Sequence, residues 1–440
     1  LAYRDTHYMR SGDYYSSSNY ASRLIGDELV LYTPVYANWA KLEDSLPAIR
    51  KRSPYAKPVP LVKPQDFHVA EPYRSGRYPL DTLHTVTRCK LADTFDCRAS
   101  AIAGTWSHSF YVSAEAVYVW TGEAGDPSSE DGRGVPGQLY RIPLAGGRSG
   151  AVQVSGSPID QFSFAEDARA GVLRVLLRGD GSGDGMWEGE VSGGSVALAS
   201  VPLARFGNGK GSLAQADYRR LPEPKGWRFQ NRFVGDYVLY AAGDYGEEEE
   251  TGKVYAVPLA GGAVQEIAIP HGITRFDRMG YDAIAIGPAR GDRLGFSALS
   301  LGSTPRLEHF HILAAAGEGE TRSQAFFFRP DPGSADGTSG VLGLPITRGQ
   351  RRDGGEFLGS GSAIAFLRRD MRKLAPLGEL AAAPGISRSD NCKASCVDWY
   401  GNARPIFTGG RIFALMGYEL VEGQLTGSAI SERRRASFAP

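Results

Sequence analysis

Residues 138–147 read QLYRIPLAGG, and residues 253–262 read KVYAVPLAGG. Each is a run of Tyr and aliphatic residues that stops at a Gly-Gly pair, the pattern of a strand delivered into a turn that needs positive φ. Working outward, a two-strand phrase repeats as well. Ser22-Arg23-Leu24-Ile25-Gly26-Asp27 precedes ELVLY, and Asn231-Arg232-Phe233-Val234-Gly235-Asp236 precedes YVLYA. A looser copy, Ala403-Arg404-Pro405-Ile406-Phe407-Thr408-Gly409-Gly410, precedes RIFAL. Gly-Asp or Gly-Gly between two β runs is tight-hairpin chemistry. Other short apolar runs, such as 116–120 (AVYVW) and 172–177 (VLRVLL), are also strand-like. Hairpins recurring along a long chain predict a β unit that cannot bury its faces alone, and a propeller stacks such units radially. At about 40–60 residues per unit, the 440 residues predict one all-β propeller domain over 1–440, with seven or eight four-stranded blades.

Composition agrees. Gly 56 plus Pro 26 gives 82 of 440 residues, about 19%, against an average near 12%. Lys plus Arg is 49 and Asp plus Glu is 49, for a net charge of +0. That balance excludes an overall basic nucleic-acid binder, and 42% hydrophobic residues exclude a disordered acidic chain. No run reaches the ~18 apolar residues of a membrane span. Helical periodicity is confined to 41–51 and 373–383, both interrupted by Pro. Residues 421–440 read as a C-terminal tail whose Arg433-Arg434-Arg435 run is solvated. The chain starts at Leu1 with no signal peptide, as expected of a processed chain or a fragment.

The four cysteines form two close pairs, Cys89 with Cys97 and Cys392 with Cys396. Seven and three residues separate them, where a CxxC zinc site needs two. Three connectivities are open; two local disulfides are the simplest, and they imply an oxidising compartment, either secreted, periplasmic or cell-surface.

Several phrases together resemble secreted bacterial and archaeal proteins with a β-propeller domain distantly related to WD repeats. They are SRLIGDELVLYTP at 22–34, HSFYVSAEAVYVW at 108–120, GSPIDQFSFAEDARAGVLRV at 156–175, RFQNRFVGDYVLY at 228–240, PHGITRFDRMGYDAIAIG at 270–287 and ARPIFTGGRIFALMGYEL at 403–420. The third is the most specific. The resemblance implies a propeller over about residues 20–420 and carries over no catalytic residue. It also implies a blade-forming segment before the opening hairpin. Only about twenty residues precede Ser22, so the first blade is expected to be incomplete or closed by the other end of the chain.

Motifs for chemistry are sparse. No G-x-S-x-G, HExxH or P-loop occurs. His309 and His311 form an H-x-H pair that a strand would place on one face, a polar face with no third ligand nearby. Asp180, Ser182 and Asp184 place oxygen side chains at alternate positions in RGDGSGDG, a candidate calcium loop. Position 12 from Asp180 is Val191, so the loop is not an EF-hand. Loops at 126–132 and 331–337 are similar, and Asp244 with Glu247–Glu250 reads as a solvated acidic tip.

Residues 36–80 break the β pattern. They hold seven prolines and read as a long connection between strands, and ten of 21 tyrosines lie in residues 1–80. Tyr36, Trp39, Tyr55, Tyr73 and Tyr78 sit among Arg50, Lys51, Arg52, Arg74 and Arg77, the mix of apolar anchors and cationic rim that suits a partner with an acidic patch. The expected function is a non-enzymatic secreted or cell-surface module that binds a protein partner or a larger assembly through this insertion. The alternatives are a metal-assisted hydrolase or lyase with its site at the central channel, and a glycan binder using Tyr36 and Trp39.

Overall fold

The repeated phrases fold alike in a computed structural model of the chain. Gly137–Pro143 and Gly252–Pro258 are both strands. Each ends in a turn whose glycines, Gly146 and Gly147 in one and Gly261 and Gly262 in the other, have φ between +95° and +105°. The Leu that follows closes the same bond twice: the Leu144 N–H donates to Glu115 O at 2.8 Å and the Leu259 N–H to Asp236 O at 2.9 Å. The hairpin phrases also match. Ile25 faces Glu28, Val234 faces Tyr237 and Thr408 faces Arg411, so each turn has two residues. The first of the two is Gly26, Gly235 or Gly409, with φ of +61°, +56° or +54°. These are the hairpins the sequence predicts.

The structure describes residues 5–10, 22–53, 55–76, 78, 80–91, 95–122, 137–183, 191–226, 228–243, 251–348, 361–383, 403–417 and 419–437. The chain is nearly all β. The chain divides into two compact units, residues 1–223 and 224–440.

In the first unit, strands Ser22–Ile25, Glu28–Tyr36, Thr82–Lys90 and Asp96–Gly104 form an antiparallel sheet, and Val62–His68 adds to its outer edge in parallel. The next sheet runs through His108–Val112, Ala116–Thr121, Gly137–Pro143 and Gly150–Val154, with Asn208–Ser212 added in parallel. One parallel pair, Gly183 with His108, joins it to strands Phe164–Asp167, Val172–Gly183, Val191–Pro202 and Tyr218–Leu221. A small sheet of His7–Arg10, Ala48–Lys51 and Val59–Pro60 completes the unit.

The second unit has four antiparallel sheets, three of them made of strands in chain order. The first is Arg228–Val234, Tyr237–Gly243, Gly252–Pro258 and Gln265–Ile269. The second is Arg275–Met279, Asp282–Ala289, Arg293–Ser300 and Arg306–Ala314. The third sets Ala316–Glu318 and Phe327–Pro330 against Gly340–Arg348, followed by Ser362–Asp370 and Lys373–Ala381. The fourth is Arg404–Thr408, Arg411–Met416, Glu419–Thr426 and Ala429–Ser437.

Adjacent sheets bury one another. Ile284 and Ile286 join Leu342, Leu344 and Leu367 in one core, while Ala283 and Ala285 join Leu239, Val254 and Phe276 in another. A strand buried on both faces reads as a continuous apolar run, which is why these segments carry no alternating polarity. Each fully buried aliphatic side chain contributes about 1.5–3 kcal/mol.

Three sequence expectations are corrected. Residues 373–383 are no helix: Lys373–Ala381 is a strand. Its Leu374, Leu377 and Leu380 are all buried at helical spacing, because the extra residue Leu377, opposite the Phe366–Leu367 step, shifts the alternation: Leu374 packs in one core with Leu342 and Leu367, and Leu377 and Leu380 in another with Ile364 and Phe366. In 41–51 the helix is one turn, Leu42–Ser45, and Ala48–Lys51 is a strand. Residues 421–440 are no tail over their described part. Glu419–Thr426 and Ala429–Ser437 pair, and the Arg run is engaged. Arg411 binds the Glu422 carboxylate through Nε and Nη2 at 2.8 Å each; Arg433 and Arg434 reach it at 3.2 and 2.6 Å. Hydrogen bonds from Arg411, then Arg434, hold that carboxyl at about 2. Arg435 binds Glu419 at 2.7 Å.

Candidate partner-binding surface

Residues 36–80 are less a loop than a second wall of the first sheet. Val62–His68 pairs with Asp96–Gly104, and Ala70 and Tyr73 enter the core beside Val86, Ile102 and Tyr140. Tyr73 is 3% exposed, and Tyr78 packs against that core with its ring edge-on to Tyr73 at 6.3 Å. Tyr73 therefore faces no partner: its ring is cladding for its own sheet. Arg74 is exposed, donates from Nε to Val69 O and pairs with Glu71 at 3.6 Å. Arg77 lies outside the described residues.

The outward aromatics are Tyr36, Trp39 and Tyr55, at 64%, 49% and 92% exposure. Tyr36 stacks on Trp106 with ring centroids 4.6 Å apart and planes 5° apart. Trp39 donates its indole N–H to Leu80 O at 2.7 Å, which fixes a ring otherwise free in solvent. Asn38 caps the turn that carries Trp39, accepting from the Lys41 N–H at 3.3 Å.

Under this surface lie two buried histidines. His84 Nε2 is 3.0 Å from Thr105 O, so it donates there, and its Nδ1 accepts from the Tyr32 hydroxyl at 2.8 Å. His108 donates from Nδ1 to Trp106 O. The two rings sit edge to face at 5.1 Å. Burial, and then the neighbouring His108, holds His84 well below the ordinary imidazole value; burial pulls His108 down to about 4. Both rings are neutral at pH 7, so the segment bearing Trp106 is pinned by fixed tautomers. Composition could not show this; the histidines are sparse and distant in sequence.

Beside the insertion lies a cleft of about 550 Å³. Asp66, His68 and Arg74 line it on one side, and Arg148 and Asn208 on the other. Burial, and then Arg74, lowers the pKa of His68.

The other candidates separate. Cys89 and Cys97 face each other across adjacent strands and are disulfide-bonded, with Cα atoms 4.1 Å apart, as expected. Cys392 and Cys396 lie outside the described residues. Asp180 and Ser182 belong to the strand Val172–Gly183; Asp184 and the 126–132 loop lie outside the description, as does the acidic run at 244–250. In the 331–337 loop, Asp331 is held by Arg368 and Asp336 by Ser334 and Thr338. His309 Nδ1 accepts the Leu374 N–H at 3.2 Å. Among the described residues no three metal-ligating side chains converge.

Sequence motifs missed one pairing. His271 Nε2 lies 2.8 Å from Ser297 Oγ. Both are fully buried, and burial pulls His271 down to about 4. With no access for a substrate the pair is structural.

Among the described residues no helix is long and apolar enough to cross a membrane. No curated protein matches the chain in sequence. Among solved structures, Kuenenia stuttgartiensis hydrazine synthase is similar at 10% identity and a TM-score of 0.36, over 72% of this chain and 76% of that one. Cobalt-substituted Synechocystis apocarotenoid oxygenase is similar at 12% identity and a TM-score of 0.35, over 80% of this chain and 61% of that one. The chain thus spans about three fifths of the oxygenase. The Beta propeller domain family matches residues 8–206, and that match, on strands that pair as successive antiparallel sheets, supports a β-propeller.

Proposed function

We propose that the chain is a seven-bladed β-propeller that works outside the cytoplasm as a non-enzymatic binding module, engaging a protein partner through the outward face of residues 36–55. Three sets of four strands in the first unit and four sheets in the second support that blade number. The Cys89–Cys97 disulfide supports that compartment. The observation that carries the binding role is the exposure of Tyr36, Trp39 and Tyr55 while Tyr73 and Tyr78 of the same insertion turn inward. Rigid exposed aromatics lose little entropy on docking, which is what interface anchors require.

The test is a triple variant, Tyr36→Ser, Trp39→Ser and Tyr55→Ser, expressed in the native host. The size of the native complex is then compared by sedimentation. The expected result is a folded protein that sediments alone. A complex of unchanged size overturns the reading.

A further inference from the structure

The cleft beside the insertion lies between the outer edges of two sheets of the first unit. Val62–His68 supplies one wall, and the turn after Gly137–Pro143 together with the approach to Asn208–Ser212 supplies the other. Its volume of about 550 Å³ is that of a small-molecule site. Arg74 and Arg148 line opposite walls, and Asp66 is the one acid among the lining residues. At the rim Glu71 is shared by Arg74 and Lys210, each at 3.6 Å. Arg148 is exposed and, among the described residues, engages no carboxylate.

A third guanidinium lies behind the lining. Arg88 is 7% exposed; among the described residues its Nη1 has no hydrogen-bond partner and no carboxylate is within ion-pair distance. Arg88 faces Arg98 and Val86 faces Ser100, so Arg88 and the cleft-lining Ser100 are diagonal neighbours on one face of the sheet. Burial, and then Arg98, lowers the Arg88 pKa, while Glu28 and Asp66 oppose the fall. Glu28 is already paired with Arg98 at 3.8 Å. A buried cation short of a counter-charge is costly, and an anion in the cleft would supply one. The chain is neutral overall, so the excess is local: Arg74, Arg88, Arg148 and Lys210 stand against Glu71 and Asp66.

The rest of the lining suits a sugar better than a bare inorganic anion. Gln65, Ser100, Ser149 and Asn208 offer neutral donors and acceptors for hydroxyls. The Asp66 carboxylate accepts from a hydroxyl and repels a second anionic group. Phe67 and Phe206 supply apolar faces for ring C–H groups.

We propose that this cleft binds a short acidic saccharide, its uronate carboxylate held by Arg74 and Arg148, with Arg88 as the buried counter-charge. The site is separate from the outward aromatics and goes beyond the partner reading.

Isothermal titration calorimetry of the full chain tests it, with cellobiouronate and digalacturonate as probes and cellobiose as the neutral twin of the first. At least one uronate is expected to bind, and cellobiose about tenfold more weakly or worse, as when a charge-assisted contact is lost. Uronate affinity should fall between about 20 mM and 300 mM NaCl as the screening length shortens. Arg148→Gln, at an exposed turn, should weaken the uronate about tenfold or more and leave cellobiose unchanged. Arg88→Met should also weaken the uronate without lowering the melting temperature of the unliganded protein, because the charge it removes is short of a partner. No binding of either uronate, equal affinity for cellobiose, or a uronate affinity that survives Arg148→Gln overturns the proposal. So does inorganic phosphate that binds as tightly as the uronates, which marks a simple anion site. Loss of uronate binding in the Tyr36, Trp39 and Tyr55 triple variant puts the ligand on the outward aromatics and overturns the cleft. Uronate binding that persists there supports it, whatever becomes of the native complex.

Discussion

Arg369 is completely buried and donates from Nη2 to the Asp282 carboxylate at 2.7 Å. Its Nη1 also serves the carbonyls of Met279 and Gly337, and Arg372 reaches the same carboxylate oxygen from the rim at 2.8 Å. The other Asp282 oxygen accepts the Leu301 N–H at 3.1 Å. One ion pair thus ties the second and third sheets of the second unit together.

Removing one partner strands the other. Asp282→Ala is expected to destabilise by about 3–5 kcal/mol, because a buried guanidinium loses its counter-charge. Urea denaturation read by fluorescence checks this. A loss under 1 kcal/mol would mean that Arg369 finds other compensation.

Buried neutral histidines make stability depend on pH. The His108 value is about 4 in the fold, against about 6.5 unfolded. Between these the unfolded state binds the extra proton, so stability is full above about 6.5 and declines as pH falls towards 4, by at most about 1.4 kcal/mol per pH unit for each such group. His271 behaves alike. The difference in unfolding free energy between the parent and His271→Gln, measured from pH 7.5 to 4.5, should shrink as the pH falls. A constant difference contradicts the assignment.

The Cys89–Cys97 bridge closes a short loop, with a sequence separation of 8. Chain-entropy arithmetic gives about 2.5 kcal/mol for such a loop. A Cys89→Ala, Cys97→Ala variant should unfold at correspondingly lower urea, and reductant should produce the same shift in the parent but none in the variant.

Two glycines with nearly the same φ should respond differently. Gly26, at +61°, has open space where a Cβ would stand; a Cβ on Gly280, at +65°, would fall 2.0 Å from Asp336 O. Gly26→Ala is expected to cost about 1–2 kcal/mol, the left-handed penalty alone. Gly280→Ala must move backbone and should cost clearly more. Thermal melts of both variants side by side decide it.

Tyr55 and Tyr73 separate contact from packing. Tyr73→Ala should cost about 3–5 kcal/mol, as for other large core aromatics, while Tyr55→Ala should stay within about 0.5 kcal/mol. Equal losses would place Tyr55 in the fold rather than on its surface.

Legibility in the sequence followed range. The hairpins at Gly26, Gly235 and Gly409 could be read because a two-residue turn demands positive φ at a fixed position. The Cys89–Cys97 bridge was legible because its partners are near neighbours. The insertion was misread where it pairs far away: Val62 meets Ala99, and nothing local in a proline-rich segment announces that. Tyr73 went inward for the same reason. The strand at 373–381 imitates a helix because its bulge, invisible in composition, lets leucines three residues apart all be buried, Leu374 in one core and Leu377 and Leu380 in another. The His84–Thr105 contact and the Arg369–Asp282 pair join residues 21 and 87 apart, which no motif connects.

The outer strands added in parallel have a consequence for how the chain acquires its shape. Asn208 must find Ala151 and Val62 must find Ala99, and the small sheet needs His7 to meet Lys51. The sheets of the second unit instead pair strands that are neighbours in the chain, except that Ala316–Glu318 skips one strand to reach Gly340–Arg348. Loop closure over long separations must precede the contacts that reward it, so the rate falls as contacts become less local. Residues 224–440 are thus expected to condense early and residues 1–223 to be the slow half, with unsatisfied strand edges exposed for longer and the greater exposure to misassembly along the way.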